Sequence, residues 1–422
     1  MTCNAGSTHK NIFEIASLAK TVLASSVFCM VPITLCAQPI ANQSNTIGVA
    51  GALNSIAGQH IPLSGTLSFI VNQLPVFTDE STFNQELAAL APTVSGSVTL
   101  GSFRHQLLVT RSITDHLNHA YTARGNAVAP QSGYAAGDIT GTTYGTWVEV
   151  IGQHAHQKNR NDILGYDDET WGIVGGGDLI VTDQALFGLA FSWLNAEYDE
   201  NIFTSSWSNV DAYQTTLYGQ YDFESPWYFN WLAAVAYNRY SMQRNVTFGS
   251  VFTQPSPHFH GWQYAADGEF GYDYAQGAFH TIPLISLFYS HLDLSRYTER
   301  GSDSANQTVN EQSYNMLLGS LGLKFAYDCP YQTVMFQPEV HLRAYYDFYA
   351  DTMATTSVFI GAPFGPTFNT TGFKPPRDSY NVGASITTFG INTGLVFIAS
   401  YDFDFQEDFT SNAGFLRLRY EW

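Results

Sequence analysis

Along most of the chain after Tyr144, apolar and polar residues alternate with a period of two. In GWQYAADGEFGYDY, Trp262, Tyr264, Ala266, Gly268, Phe270, Tyr272 and Tyr274 fall on one face, and Gln263, Asp267, Glu269 and Asp273 on the other. In VMFQPEVHLRAYYDF, Val334, Phe336, Val340, Leu342, Ala344 and Tyr346 oppose Gln337, Glu339, His341, Arg343 and Asp347. Successive strand side chains point to opposite faces, so the pattern predicts strands with one apolar and one polar side. A soluble sandwich would alternate too, but these segments run to roughly 11–18 residues where an ordinary strand has about five or six. A tilted strand needs about 9–11 residues to cross the bilayer's hydrocarbon. Aromatic residues gather at the ends of the apolar faces, as in SPWYFNWLAAVAYNRY with Trp227, Phe229, Trp231 and Tyr237, the position of a headgroup-level girdle. A charge on a lipid-facing midplane position costs about 2–4 kcal/mol and little in a hydrated lumen, which accounts for ionisable groups keeping to one face.

Twelve such segments follow one another, from TYGTWVEVIGQHA to NAGFLRLRYEW. Tight connections such as DCPY and QGAF alternate with long polar ones such as TERGSDSANQTVNEQ. Upstream, SFRHQLLVTRSITDHLNHAYTARG carries Phe103, Leu107, Leu108, Ile113 and Leu117 at helical spacing, lacks proline, and ends at the breaker cluster RGNAVAPQSG. The expected fold class is therefore all-β: a twelve-stranded antiparallel transmembrane β-barrel with an N-terminal α-helical segment that plugs or links through the pore. Before that helix, NTIGVAGALNSIAGQHIPLSGTLSFIVNQL and STFNQELAALAPTV also read as helical, without an internal repeat.

Composition sharpens this picture. Aromatic residues make up 15% of the 422 positions and charged residues 13%, against about 25% charged in a typical soluble domain. Mean hydropathy is −0.09, and no segment after the first forty residues is long and apolar enough for a membrane helix, so entry into a membrane would be as strands. The net charge of −19 speaks against nucleic acid as a partner. Residues 21–37, TVLASSVFCMVPITLCA, are uncharged and follow Lys10 and Lys20, the pattern of a secretory signal with cleavage after Ala37. Leu35 before Cys36 fits a lipoprotein anchor less well. Cys3, Cys29 and Cys36 lie in this region, which leaves Cys329 alone in the mature chain.

The order of these features resembles the translocator domain of the autotransporters, the type V secretion family. The pieces that carry the resemblance are YGTWVEVIG, GYDDETWGIVGGGDLIVTDQALFGLAFSW, SNVDAYQTTLYGQYDF, the YTERGSDSANQTV loop and the aromatic end. The resemblance implies a barrel with a helix inside its pore and an upstream passenger segment carried across the outer membrane. It implies four parts: a signal peptide at 1–37, a short and much reduced passenger at 38–100, a linker helix at 101–140 and the barrel at 141–422. The last apolar row, Gly414, Leu416, Leu418, Tyr420 and Trp422, resembles the signal read by the barrel-assembly machinery, although family members more often end in Phe. Arg104, Arg111 and Arg124 are expected as contacts of the pore helix with lumenal carboxylates, each giving about 0–1 kcal/mol in a wet pore. The implied partners are outer-membrane lipid, the assembly machinery and periplasmic chaperones, with host surfaces reachable through the long loops and the chain acting as a monomer.

Other classes leave weaker traces. A plugged pore or an adhesin-like surface protein without secretion shares the barrel pattern. A barrel hydrolase would need Ser, His and a polar partner at one rim, yet no G-x-S-x-G or H-E-x-x-H sequence occurs. His258 and His260 share one side of a strand, but without a third ligand they make no metal site. No catalytic residue, metal or cofactor is expected.

Overall fold

The structure, a computed structural model, describes residues 44–59, 63–74, 80–92, 96–126, 143–160, 165–182, 184–200, 206–223, 226–362, 364–390 and 394–421. Within α4, side chains from 120 to 126 lie outside the described set, as does Trp422. The proposed signal peptide and its cleavage site also lie outside it.

The period-two segments become β1 (Thr143–Gln157), β2 (Tyr166–Thr182), β3 (Ala185–Glu200), β4 (Ser206–Asp222), β5 (Trp227–Gln243) and β6 (His258–Tyr272). They continue as β7 (Phe279–Leu294), β8 (Gln312–Tyr327), β9 (Val334–Asp347), β10 (Asp378–Gly390), β11 (Leu395–Gln406) and β12 (Phe409–Glu421). Each pairs antiparallel with its neighbour in sequence. β12 then pairs with β1, from Gly145 opposite Glu421 to Gln157 opposite Phe409. That last ladder closes the sheet into a barrel and leaves no edge strand.

Burial follows the alternation. On β3, Phe187, Leu189 and Phe191 point outward and are exposed, while Leu186, Ala190 and Leu194 point inward and are buried. The outward apolar run ends at Trp193, and Asn195, Glu197 and Asp199 follow it on the same face. Phe187 to Trp193 spans about 20 Å at ~3.4 Å per residue, close to the ~25 Å apolar band of an outer-membrane barrel. Aromatic pairs mark both borders: Trp227 stacks on Phe270 with ring centroids 5.0 Å apart near the short-turn end, and Trp171 meets Trp193 at 4.6 Å nearer the long loops.

Helices α1 (Ser44–Gly58), α2 (Gly65–Gln73) and α3 (Glu80–Leu90) sit on the long loops. Those loops carry a hairpin, Val246–Phe248 with Val251–Thr253, and a small sheet of Tyr297–Thr298, Gln307–Val309, Ala354–Phe359 and Phe368–Thr371. Val49, Leu53, Leu67 and Leu87 of the helices bury against Phe248, Phe359 and Phe368 of the loops in one apolar core. α4 (Ser97–Asn126) begins before Gly101, where the sequence placed the linker helix. The residue ahead of it, Gly96, has φ +73°, a backbone state that glycine adopts freely.

Candidate functional site

α4 runs through the lumen, and contacts reach it from nearly every side. Leu108, Val109, Ile113 and Leu117 form one stripe against Trp147, Val174, Leu194, Leu232 and Phe415 of the wall. Nearer the long loops, Val98, Leu100 and Phe103 pack with Tyr198, Tyr240, Phe288 and Leu292. Gly101 lies so close to Tyr198 that a Cβ there would collide with the phenol, so the helix seats only where this position has no side chain.

Polar positions of α4 meet inward groups of the strands. Ser102 Oγ shares a hydrogen bond with the Tyr240 hydroxyl at 2.8 Å, and Ser290 donates to Gln106 Oε1 at 2.5 Å. Lys324 of β8 donates to Asp115 at 2.9 Å, and Asn118 donates to Glu269 of β6 at 3.1 Å. A second set gathers where β12 meets β1 and β2. Arg417 donates to the Ser112 carbonyl at 2.6 Å and pairs with Glu149 at 2.5 Å, and Ser112 donates to the same carboxylate. Arg419 grips Asp178 through both terminal guanidinium nitrogens, Nη2 at 2.8 Å and Nη1 at 2.9 Å. His116 lies 2.7 Å from the same carboxylate, stacked on Trp147 with centroids 4.4 Å apart.

The residues singled out by sequence fall as follows. Leu416, Leu418 and Tyr420 point outward from β12 into the apolar band, and Gly414 shares their face. Trp422 and the side chain of Arg124 lie outside the described residues. Arg111 pairs with Asp404 at 2.6 Å and lies over the Tyr345 ring. Arg104 does not meet a carboxylate: it donates to the Tyr166 hydroxyl at 2.6 Å and stacks on Phe409. The reason is local, because the inward positions facing it carry aromatic side chains. The expectation of a wet lumen with weakly paired charges is also corrected. Arg417 and Glu149 are 3% and 1% exposed, and Arg419 and Asp178 2% and 0%. These are buried pairs in a packed interior, so surface values of about 0–1 kcal/mol do not apply to them. Charge also runs both ways: the helix supplies Asp115 and the wall supplies Lys324, Arg417 and Arg419. Sequence reading gave those wall cations no partner, although Arg417 and Arg419 alternate on the polar face of the last strand, Arg417 directly opposite Glu149 once that strand pairs with β1.

No cluster of His, Cys, Asp and Glu suited to a metal ion occurs among the described residues. His258 and His260 lie at the exposed surface, near Ser241 and Tyr237 respectively. Cys329 is half-buried and free.

A closed antiparallel barrel with an apolar outer belt, short turns at one end, long loops at the other and a helix filling its lumen is a transmembrane barrel of the Gram-negative outer membrane. The model of the autotransporter beta-domain family matches residues 146–402, more than half of the chain, and the chain belongs to that family. It is 25% identical over 294 residues to outer membrane protein A of Rickettsia conorii (strain ATCC VR-613 / Malish 7), covering 65% of this chain and 14% of that one. It is 23% identical over 375 residues to outer membrane protein B of Rickettsia prowazekii (strain Madrid E), covering 85% of this chain and 22% of the relative. The chain thus spans less than a quarter of either relative's length. The translocator domain of the autotransporter NalP from Neisseria meningitidis superposes with a TM-score of 0.60 at 13% identity, over 78% of this chain and 99% of that one. That likeness concerns the fold.

Proposed function

We propose that this barrel carries the segment ahead of it outward across the membrane and then keeps it, with α4 as the tether in the lumen and α1–α3 as a small domain seated on the outer loops. The observation that carries the reading is the path of the chain. α1–α3 lie at the long-loop end, α4 threads the lumen, and β1 starts at the short-turn end. Long loops face outside and short turns face the periplasm in such barrels, so the path runs from the cell surface back through the wall. The barrel works by anchoring and transport rather than catalysis. Its outward row Gly414, Leu416, Leu418 and Tyr420, with Trp422, is the segment offered to the barrel-assembly machinery, after periplasmic chaperones have delivered the unfolded chain as a monomer.

The test is an epitope inserted beside Asn72, an exposed position of α2, probed with antibody on intact and permeabilised cells. Signal on intact cells is expected. Signal only after permeabilisation would overturn the reading and leave a plugged barrel whose helices face the periplasm.

A further inference from the structure

We propose that the outer half of the lumen holds a binding site for a small amphipathic carboxylate, set between α4 and the walls formed by β8 and β10–β12. A cavity of about 70 Å³ lies there. One side is apolar: Leu100, Leu107 and Leu108 of α4 face Met316 and Leu318 of β8. The other side brings together Arg104, Arg111, Gln406 and Ser411, and the exposed Arg377 stands at its mouth.

Four buried polar atoms of these lining residues have no hydrogen-bond partner: Arg104 Nη2, Arg111 Nε, Gln406 Nε2 and Ser411 Oγ. Three are N–H groups, which only donate, and the fourth is a hydroxyl that can donate. Ser411 is only 2% exposed. Unmade donors among the lining residues fit an acceptor-rich group, since leaving buried donors unmade costs about 1–3 kcal/mol each.

The charge balance points the same way. Asp404 is engaged by Arg111 at 2.6 Å and by Asn381 at 3.1 Å, and Asp347 accepts from the Tyr349 amide at 3.0 Å. Arg377 donates to the carbonyls of Asp347, Phe348 and Tyr349, and Arg104 to a phenol. Neither of these guanidiniums forms an ion pair among the described residues, although Arg377 stands near the Asp347 carboxyl. A net positive lining is notable in a chain of formal charge −19. A single carboxylate placed between Arg104 and Ser411 would meet both the free charge and the free donors. The volume, at ~10–15 Å³ for one water centre, admits such a head and the first carbons of a short chain. The rest of that chain would follow the leucine and methionine side or leave past Arg377.

This site is independent of the translocation reading. The test uses the full chain, refolded in a nonionic detergent, titrated with hexanoate and with hexan-1-ol, and read by isothermal titration calorimetry and saturation-transfer NMR. The expected result is saturable one-to-one hexanoate binding, at least about tenfold tighter than hexan-1-ol and weakened about tenfold or more by Arg104→Met. Ser411→Leu fills the cavity without removing a charge and is expected to abolish binding, which keeps the test decisive if Arg104→Met misfolds. Absence of saturable binding up to about 20 mM, far above the ~1 mM of a weak ligand, would overturn the proposal. Equal affinity for the alcohol, or undiminished binding in Ser411→Leu, would overturn it as well.

Discussion

Arg419→Met tests whether the last strand holds the lumenal helix in place. The guanidinium makes two bonds to Asp178, approaches His116 Nε2 at 2.8 Å and donates through Nε to Glu421 at 2.8 Å. Methionine keeps most of the volume and removes the charge. Asp178 then remains fully buried, with His116 and the more distant Tyr218 hydroxyl at 3.3 Å as side-chain partners. Removing one member of a buried pair costs about 3–5 kcal/mol. His116 lowers that figure, because without the competing guanidinium its Nε2–H donates cleanly to Asp178. The lower end, about 3 kcal/mol, is the expected loss, equivalent to more than about 100-fold in the folding constant.

The assay is equilibrium urea unfolding of the barrel in lipid vesicles, followed by tryptophan emission. Trp147 is a local reporter, since it stacks on His116 and donates to Tyr218 at 2.8 Å. A double-mutant cycle with Asp178→Asn separates the pair from general damage. The double variant is expected to recover at least about 2 kcal/mol relative to the sum of the single losses. Single effects that add to within about 0.5 kcal/mol would refute the reasoning, because independent sites add and a coupled buried pair does not.

Two further outcomes follow from the same geometry. Arg244→Met is expected to loosen α1–α3 from the loops, since Arg244 caps the C-terminal carbonyls of α3 at Ala89 and Ala91 while pairing with buried Glu299 at 2.6 Å; cleavage by a glutamate-specific protease at Glu80 and Glu86 should rise about tenfold or more, consistent with the ~3 kcal/mol of an orphaned buried charge. Leu189→Arg places a charge within the outward apolar belt, where Leu189 is 58% exposed to lipid, and is expected to cost about 2–4 kcal/mol by vesicle refolding, against about 0–1 kcal/mol for Glu197→Arg at the outer rim.

The barrel was legible because its signal is repeated. A strand with Trp262, Tyr264 and Phe270 on one side and Gln263 and Glu269 on the other has one solution in a membrane, and the twelve segments agree with one another. The helix was legible from Phe103, Leu107, Leu108, Ile113 and Leu117 alone. Its surroundings were not. Whether Arg104 meets a carboxylate or the Phe409 ring depends on the register between strands distant in sequence and on how the helix rotates in the lumen. Period two tells which side of a strand faces inward and says nothing of which inward residues come opposite the helix. The same limit hid the seating of α1–α3, which the sequence shows only as helical segments, while Phe248, Phe359 and Phe368 are brought beneath them by loops more than 150 residues away.

The placement of the lumenal cations ties two events together. A β12 ladder on β1 would close the sheet by backbone bonds alone. Arg417 and Arg419 add bonds that cross the seam from the inside, one to Glu149 of β1 and one to Asp178 of β2, and each of these carboxylates is also bonded by α4 through Ser112 or His116. With the helix absent, both carboxylates would lose a partner and both arginines would border an open, solvated channel, where ion pairs are worth about 0–1 kcal/mol. With the helix seated, the same pairs are dry, and their attraction grows as the local dielectric falls. Closing the barrel and seating the helix are therefore mutually reinforcing. The last strand, which pairs with the first, is also the one whose inward side chains fasten the lumenal helix.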